Sequence, residues 1–179
     1  MKYKKNKVSR IWFSNPKVSQ IAVLYKVDSK FKQDWYIDKI RITLSTGLQS
    51  KDTMKFNLRI YAYDSINNRP GDELYNKPIL VNAENNSIKK VNLRDYKIQI
   101  PPDYFFVAVE WLFIEENRFT FGNDNRSSPK NCYLPFIVEL KESKDIMGVW
   151  WFSFNQNWRK RNSLDSSISS LDISVTLRD

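Results

Sequence analysis

Three separate runs of this chain alternate apolar and polar residues with a period of two. Ile40, Ile42 and Leu44 alternate with Arg41 and Thr43. Phe56, Leu58, Ile60 and Ala62 alternate with Asn57, Arg59, Tyr61 and Tyr63. Leu171, Ile173, Val175 and Leu177 alternate with mostly polar residues near the C-terminus. Successive side chains of an extended strand point to opposite faces, so this spacing marks strands with one buried face. Phe105 to Ile114 departs from the pattern, being apolar at both parities apart from Glu110. That stretch reads as a central strand covered on both sides, and its β-branched and aromatic content argues against a buried helix.

Further strands are expected at Ile21 to Val27, Ile79 to Ala83, Ile88 to Leu93, Lys97 to Ile100, Arg118 to Phe121, Leu134 to Leu140 and Val149 to Phe154. Turn chemistry separates them at Asn67 to Asp72, Glu84 to Ser87 and Gly122 to Asn125, and Pro101-Pro102-Asp103 ends one strand before the central one begins. The only helical candidate is a single turn at Leu93 to Tyr96. About nine or ten short strands, spaced by loop signals, predict an all-β fold, a jelly-roll-like antiparallel β-sandwich. A chain of 179 residues suits one core. The sandwich is expected over 18–179, preceded by a basic N-terminal arm at 1–17, with a Ser-rich loop from Ser163 to Ser170 before the last strand.

Composition removes most catalytic chemistry. The chain has no His and a single Cys, Cys132. Ser-His-Asp and Cys-His catalysis, imidazole metal sites, intramolecular disulfides and four-thiolate zinc sites are therefore excluded. Cys132 lies in an apolar segment and reads as a small buried hydrophobe. The four glycines are scattered, so no Gly-rich phosphate loop can be built. No enzyme is expected, and the chemistry left for one is that of carboxylates, Lys, Tyr and Ser. Ile11 to Phe13 and Ile21 to Tyr25 are too short for a signal-peptide core, and no run nears the length of a transmembrane helix. The expectation is a soluble chain without an export signal of its own, or a piece cut from an exported protein.

The middle of the chain carries a recurrent pattern. Phe56-Asn-Leu-Arg-Ile-Tyr-Ala-Tyr-Asp64 is followed by Arg69-Pro-Gly-Asp-Glu-Leu74, then by Val91-Asn-Leu-Arg-Asp-Tyr96, then by Ile100-Pro-Pro-Asp-Tyr-Phe-Phe-Val-Ala-Val-Glu-Trp111. This resembles the C-terminal β-sandwich region of carboxypeptidase-regulatory-like-domain proteins of Bacteroidota bacteria, over residues 35–115. The resemblance implies a jelly-roll-like sandwich and an exported, cell-envelope setting. It implies no established activity.

Glu110 is the most informative residue, a carboxylate in an otherwise apolar strand on the parity of Phe106, Ala108, Leu112 and Ile114. An unpaired buried carboxylate costs several kcal/mol, so Glu110 is expected to pair with Arg59 or Arg41 across neighbouring strands. The same pattern allows a ligand-binding carboxylate. Asp64, Asp72 and Glu73 flank the Pro70-Gly71 turn and form a weak calcium candidate, although their spacing matches no EF-hand. Trp150, Trp151 and Trp158 lie close to Arg159-Lys160-Arg161, an aromatic and cationic mixture that suits sugars or single-stranded nucleic acid. On a regular strand Trp150 and Trp151 face opposite ways, so one belongs to the core and one is exposed.

Lys2, Lys4, Lys5, Lys7 and Arg10 hold just over half of the net charge of +9. The remainder is only mildly basic, which argues against a nucleic-acid partner. The expected function is a non-catalytic binding or accessory module for a glycan or an envelope protein partner, with no cofactor. Arg59, Tyr61, Tyr63, Glu110, Trp151 and Trp158 are its candidate ligand contacts. Three alternatives are a structural or assembly sandwich without a small ligand, a carboxylate glycoside hydrolase, and a weak nucleic-acid or anionic-surface binder through the arm.

Overall fold

A computed structural model of the chain describes residues 8–14, 18–28, 35–45, 53–84, 87–121, 130–140, 146–153, 155, 157–161 and 170–179. The arm lysines Lys2, Lys4, Lys5 and Lys7, the Gly122 to Asn125 loop and nearly all of the Ser163 to Ser170 loop lie outside the described residues.

The fold is all-β, and two antiparallel, curled sheets form a sandwich. The strands in chain order are β1 (Val8–Ser14), β2 (Val18–Lys26), β3 (Tyr36–Ser45), β4 (Thr53–Asp64), β5 (Arg69–Glu73), β6 (Ile79–Glu84), β7 (Ile88–Asn92), β8 (Tyr104–Trp111), β9 (Arg118–Phe121), β10 (Lys130–Leu140), β11 (Ile146–Ser153), β12 (Trp158–Lys160), β13 (Ser170–Leu171) and β14 (Ile173–Arg178). The first sheet runs β1-β10-β3-β14, with β9 and β13 beside β10 and β7 beside β3; the second runs β12-β11-β2-β8-β4-β5, with β6 also beside β4. Among the described residues no helix is long and apolar enough to cross a membrane.

The alternating residues meet between the sheets. Ile40, Ile42 and Leu44 of β3 face Met54, Phe56, Leu58 and Ile60 of β4 and Val107 and Val109 of β8 across one core, and all are essentially inaccessible. Two buried hydrogen bonds tie the layers together. The Tyr25 hydroxyl donates to the Ile173 carbonyl at 2.7 Å, and the Trp111 indole donates to the Pro135 carbonyl at 2.8 Å. Fully buried Asn117 extends the edge of β4: its Oδ1 accepts from Lys55 N–H, and its amide donates to the carbonyls of Lys55 and Leu112. A side-chain amide here replaces the missing backbone partner of an edge.

The second sheet has a second, smaller core on its other face. Ala22 and Leu24 of β2, Phe106 and Ala108 of β8, Tyr61 of β4 and Trp150 of β11 are buried together there, with Tyr63, Tyr104 and Trp158 packed against them. Ala22 and Ala108 are directly opposed, and two small side chains leave room for Trp150 to lie edge-on to Phe106 at 5.0 Å. This explains why β8 is apolar at both parities: its odd residues face the sandwich and its even residues face the second core. The sheet curls until its outer strands approach. Trp158 of β12 meets Tyr61 of β4 edge-to-face at 5.6 Å, and the Trp150 indole donates to the Asn68 carbonyl at 3.2 Å. Gly148, at φ +151, makes the close approach possible, since a Cβ there would stand 2.8 Å from the Trp150 ring.

Several sequence expectations need adjustment. Val8–Ser14, within the stretch read as an arm, form strand β1, paired antiparallel with β10. Arg69–Glu73, read largely as a turn, is a short strand at the end of the sheet path, an edge position of the kind that admits a proline such as Pro70. Trp158–Lys160 is likewise a strand, paired with β11. Lys97 to Ile100 is not a strand. Lys97 takes the left-handed conformation after the 3-10 turn Arg94–Tyr96, and only Gln99 makes an isolated bridge, to Tyr36. The central strand stops at Trp111, and the chain turns at Glu115–Asn117.

Candidate functional site

At one end of the curled face, register places three polar residues in a row. Gln20 of β2 is opposite Glu110 of β8, and Glu110 is opposite Asn57 of β4. Arg59 and Tyr61 follow Asn57 on the same face of β4, and Glu73 of β5 is opposite Tyr61. These side chains form one continuous network. The Tyr61 hydroxyl donates to Gln20 Oε1 at 2.7 Å, and Gln20 Nε2 donates to Glu110 Oε1 at 3.3 Å. Glu110 Oε2 accepts from Asn57 Nδ2 and from Arg59 Nε, each at 2.9 Å. Arg59 Nη1 then reaches the two Glu73 oxygens at 3.1 and 3.4 Å.

The electrostatics follow from these contacts. Burial works against the Arg59 cation, but the hydrogen bond and charge of Glu110, with Glu73 behind it, outweigh that cost and raise its pKa above the ordinary arginine value. Burial, reinforced by the Glu73 carboxylate, pushes the Tyr61 phenol up strongly. Tyr61 therefore remains a neutral donor to Gln20. A raised folded-state value means that the phenol's contribution to stability is fully present below the unfolded value of about 10 and is lost as pH rises towards the folded one. Between pH 10 and 11 the wild-type chain is expected to lose about 1 kcal/mol that a Tyr61→Phe variant does not lose, the difference being read from urea midpoints at the two pH values.

Half-buried aromatics border the network. Phe152 of β11 is opposite Gln20, and Trp158 is opposite Phe152, their rings 5.1 Å apart. One face thus carries Gln20, Asn57, Arg59, Glu73 and Glu110 beside Phe152 and Trp158. Preorganised planar polar groups next to aromatic rings can hydrogen-bond and stack a polar, ring-shaped ligand.

Of the residues singled out from the sequence, Arg59, Tyr61, Glu110 and Trp158 come together here. Tyr63 lies further along the same face, bonded through its hydroxyl to Asn68 Oδ1 at 3.0 Å and packed on Tyr104. Trp151 is opposite Ile21, on the sandwich side of β11, and is separated from the network by the sheet itself. Its neighbour Trp150 is the one that enters the curled face, where it is buried as core. Arg41 is no partner of Glu110; it sits on the first sheet and pairs with Asp172 at 3.1 Å.

The three calcium candidates are drawn into different contacts. Asp64 Oδ1 accepts from Ile66 N–H and Asn67 N–H, and Oδ2 accepts from the Asn67 side chain. These hydrogen bonds, the Asn67 side chain foremost, hold the Asp64 carboxyl below its usual range. Glu73 is bound to Arg59 and Asp72 is exposed. Among the described residues no three His, Cys, Asp or Glu side chains gather as a metal-ligand group.

Sequence reasoning missed Gln20 and Asn57 as partners of Glu110 and saw Glu73 only as a turn carboxylate. Asn57 shares the alternation of Arg59 and Tyr61, so its face was readable; its alignment with Glu110 depends on the β4–β8 register. No family model, curated protein or solved structure matches the chain.

Proposed function

We propose that this chain is a non-catalytic glycan-binding module whose binding surface is the polar and aromatic end of the curled sheet. The observation that carries the reading is the saturation of Glu110. Gln20, Asn57 and Arg59 all donate to its carboxylate, which fixes it as an acceptor within an array beside Phe152 and Trp158. The remaining donors of Arg59 and the amide oxygen of Asn57 would meet sugar hydroxyls, and Trp158 would stack against a pyranose face. A jelly-roll-like connectivity and the envelope setting implied by the family resemblance belong to the same proposal.

A glycoside hydrolase is the second reading, because Arg59 brings a second carboxylate, Glu73, to Glu110. Hydrolysis needs one carboxyl group to deliver a proton and another to attack or to activate water. Here both carboxylates are bound to one guanidinium, an arrangement better suited to holding than to proton transfer.

The test is affinity electrophoresis against a panel of soluble neutral and acidic polysaccharides, with reducing-end release measured in parallel. Retardation by at least one polysaccharide is expected, reduced about tenfold or more in affinity by Trp158→Ala and by Asn57→Ala, with no reducing ends released. Absence of retardation across the panel, or retardation indifferent to both variants, would overturn the reading. Reducing-end release that disappears in Glu110→Gln would replace it with the hydrolase.

A further inference from the structure

The outer face of the first sheet, on the opposite side of the sandwich, presents a different chemistry. Register aligns Thr176, Lys39 and Asn92 in one row across β14, β3 and β7, and Ser174, Arg41 and Lys90 in the next. Arg41 and Lys90 are directly opposed cations, a cross-strand pairing that opposes sheet stability. Asp172 offsets Arg41, while among the described residues neither Lys39 nor Lys90 makes an ion pair. The nearby carboxylate of Asp38 is taken by Arg94 at 3.0 Å. Lys39 and Lys90 therefore project positive charge beside Asp172 and Asp38, which are already paired with Arg41 and Arg94.

We propose that this face binds a linear anionic polysaccharide, through Lys39, Arg41 and Lys90. Neighbouring cations stand about 5 Å apart across strands and about 7 Å apart along β3, so a chain bearing carboxylate or sulfate groups at successive sugars can engage more than one at once. The other side chains in the two rows, Thr176, Asn92 and Ser174, are small and polar, suited to hydroxyl contacts. Single-stranded nucleic acid fits less well, because these two rows hold no aromatic ring on which a base could stack, and the ring beside them, Tyr36, already lies under the Arg178 guanidinium at 5.8 Å. A membrane surface fits less well because Ile88 is the one large apolar side chain that β7 exposes. This inference stands apart from the reading of the Glu110 face and uses none of its residues.

The experiment compares the wild-type chain, Lys39→Gln/Lys90→Gln and a charge-matched control, Lys26→Gln/Lys77→Gln. Each is titrated with heparin oligosaccharides, polygalacturonate, oligo-dT and anionic phospholipid vesicles over a range of salt. Circular dichroism confirms that all three fold. Wild type and control are expected to bind at least one of the two polysaccharides more tightly than oligo-dT or vesicles. The double variant is expected to lose about tenfold or more in affinity at low salt, with its log–log salt slope falling by about 2. Heparin and polygalacturonate distinguish sulfate from carboxylate as the anion. Equal losses in the double variant and the control would show that net charge alone is at work and would overturn the assignment. So would an unchanged double variant, or tighter binding to oligo-dT or to vesicles.

Discussion

Trp150→Ala is expected to destabilise the chain by about 4 kcal/mol, read as a fall in the urea midpoint with the slope of the transition unchanged. Trp150 is 1% exposed. It fills the centre of the second core, where Ala22 and Ala108 offer no bulk to move into the space left behind. Collapse around the cavity is therefore limited, which places the substitution in the upper part of the range for large-to-small changes. The indole also donates to the Asn68 carbonyl and lies 5.0 Å beneath the Lys160 ammonium, so the variant loosens both outer ends of the curled sheet. If the curled face binds glycans as proposed, weaker retention should accompany the lost stability, because Trp158 packs against that core. A midpoint shift worth less than about 1 kcal/mol would mean that the second core is not packed as described.

The second large effect is expected from Glu110→Ala. The change removes the acceptor shared by Gln20, Asn57 and Arg59, leaving the Arg59 guanidinium with Glu73 alone. Breaking a fully buried pair costs about 3–5 kcal/mol. Here water reaches the side chains of Arg59 (19% exposed) and Glu110 (21%). The expected cost is therefore smaller, about 2 kcal/mol. Arg59→Ala combined with Glu110→Ala should cost less than the sum of the two single changes, since removing both charges strands neither. A strictly additive double variant would show that the network contributes nothing as a unit.

The alternating runs of β3, β4 and β14 were legible in the sequence because one-sided burial imposes a period of two. The two-sided burial of β8 was legible because its residues are apolar at both parities apart from Glu110, and their β-branched and aromatic content favours a covered strand over a buried helix. That Glu110 would pair with Arg59 or Arg41 followed from the cost of leaving a carboxylate alone in such a strand, and the β4–β8 register decides for Arg59. What escaped depends on register or on edges. Trp150 and Trp151 had to face opposite ways, but only the alignment of β11 with β2 decides which one meets Ala22 and which meets Ile21. Glu73 reaches Arg59 because β5 folds back on β4, and Arg69-Pro70-Gly71-Asp72 carries turn chemistry that hides an edge strand. The three residues of β12 are too few for any period to appear.

The second core has a consequence for how the molecule opens. With β2 and β4 on its two edges and apolar side chains packed on both faces, β8 has no side from which water can enter without separating a neighbouring strand. Its amide hydrogens, with those facing them on β2 and β4, should exchange with solvent only through the rarest openings of the chain, while those of β12, β5 and β7 should exchange through local fraying. Glu110 is thus mounted on the most persistent strand of the protein, and Trp158 on one of its least. A ligand gripped between the two would slow exchange at β12 far more than at β8, so the footprint of binding would show on the outer strand and leave the central one almost unchanged.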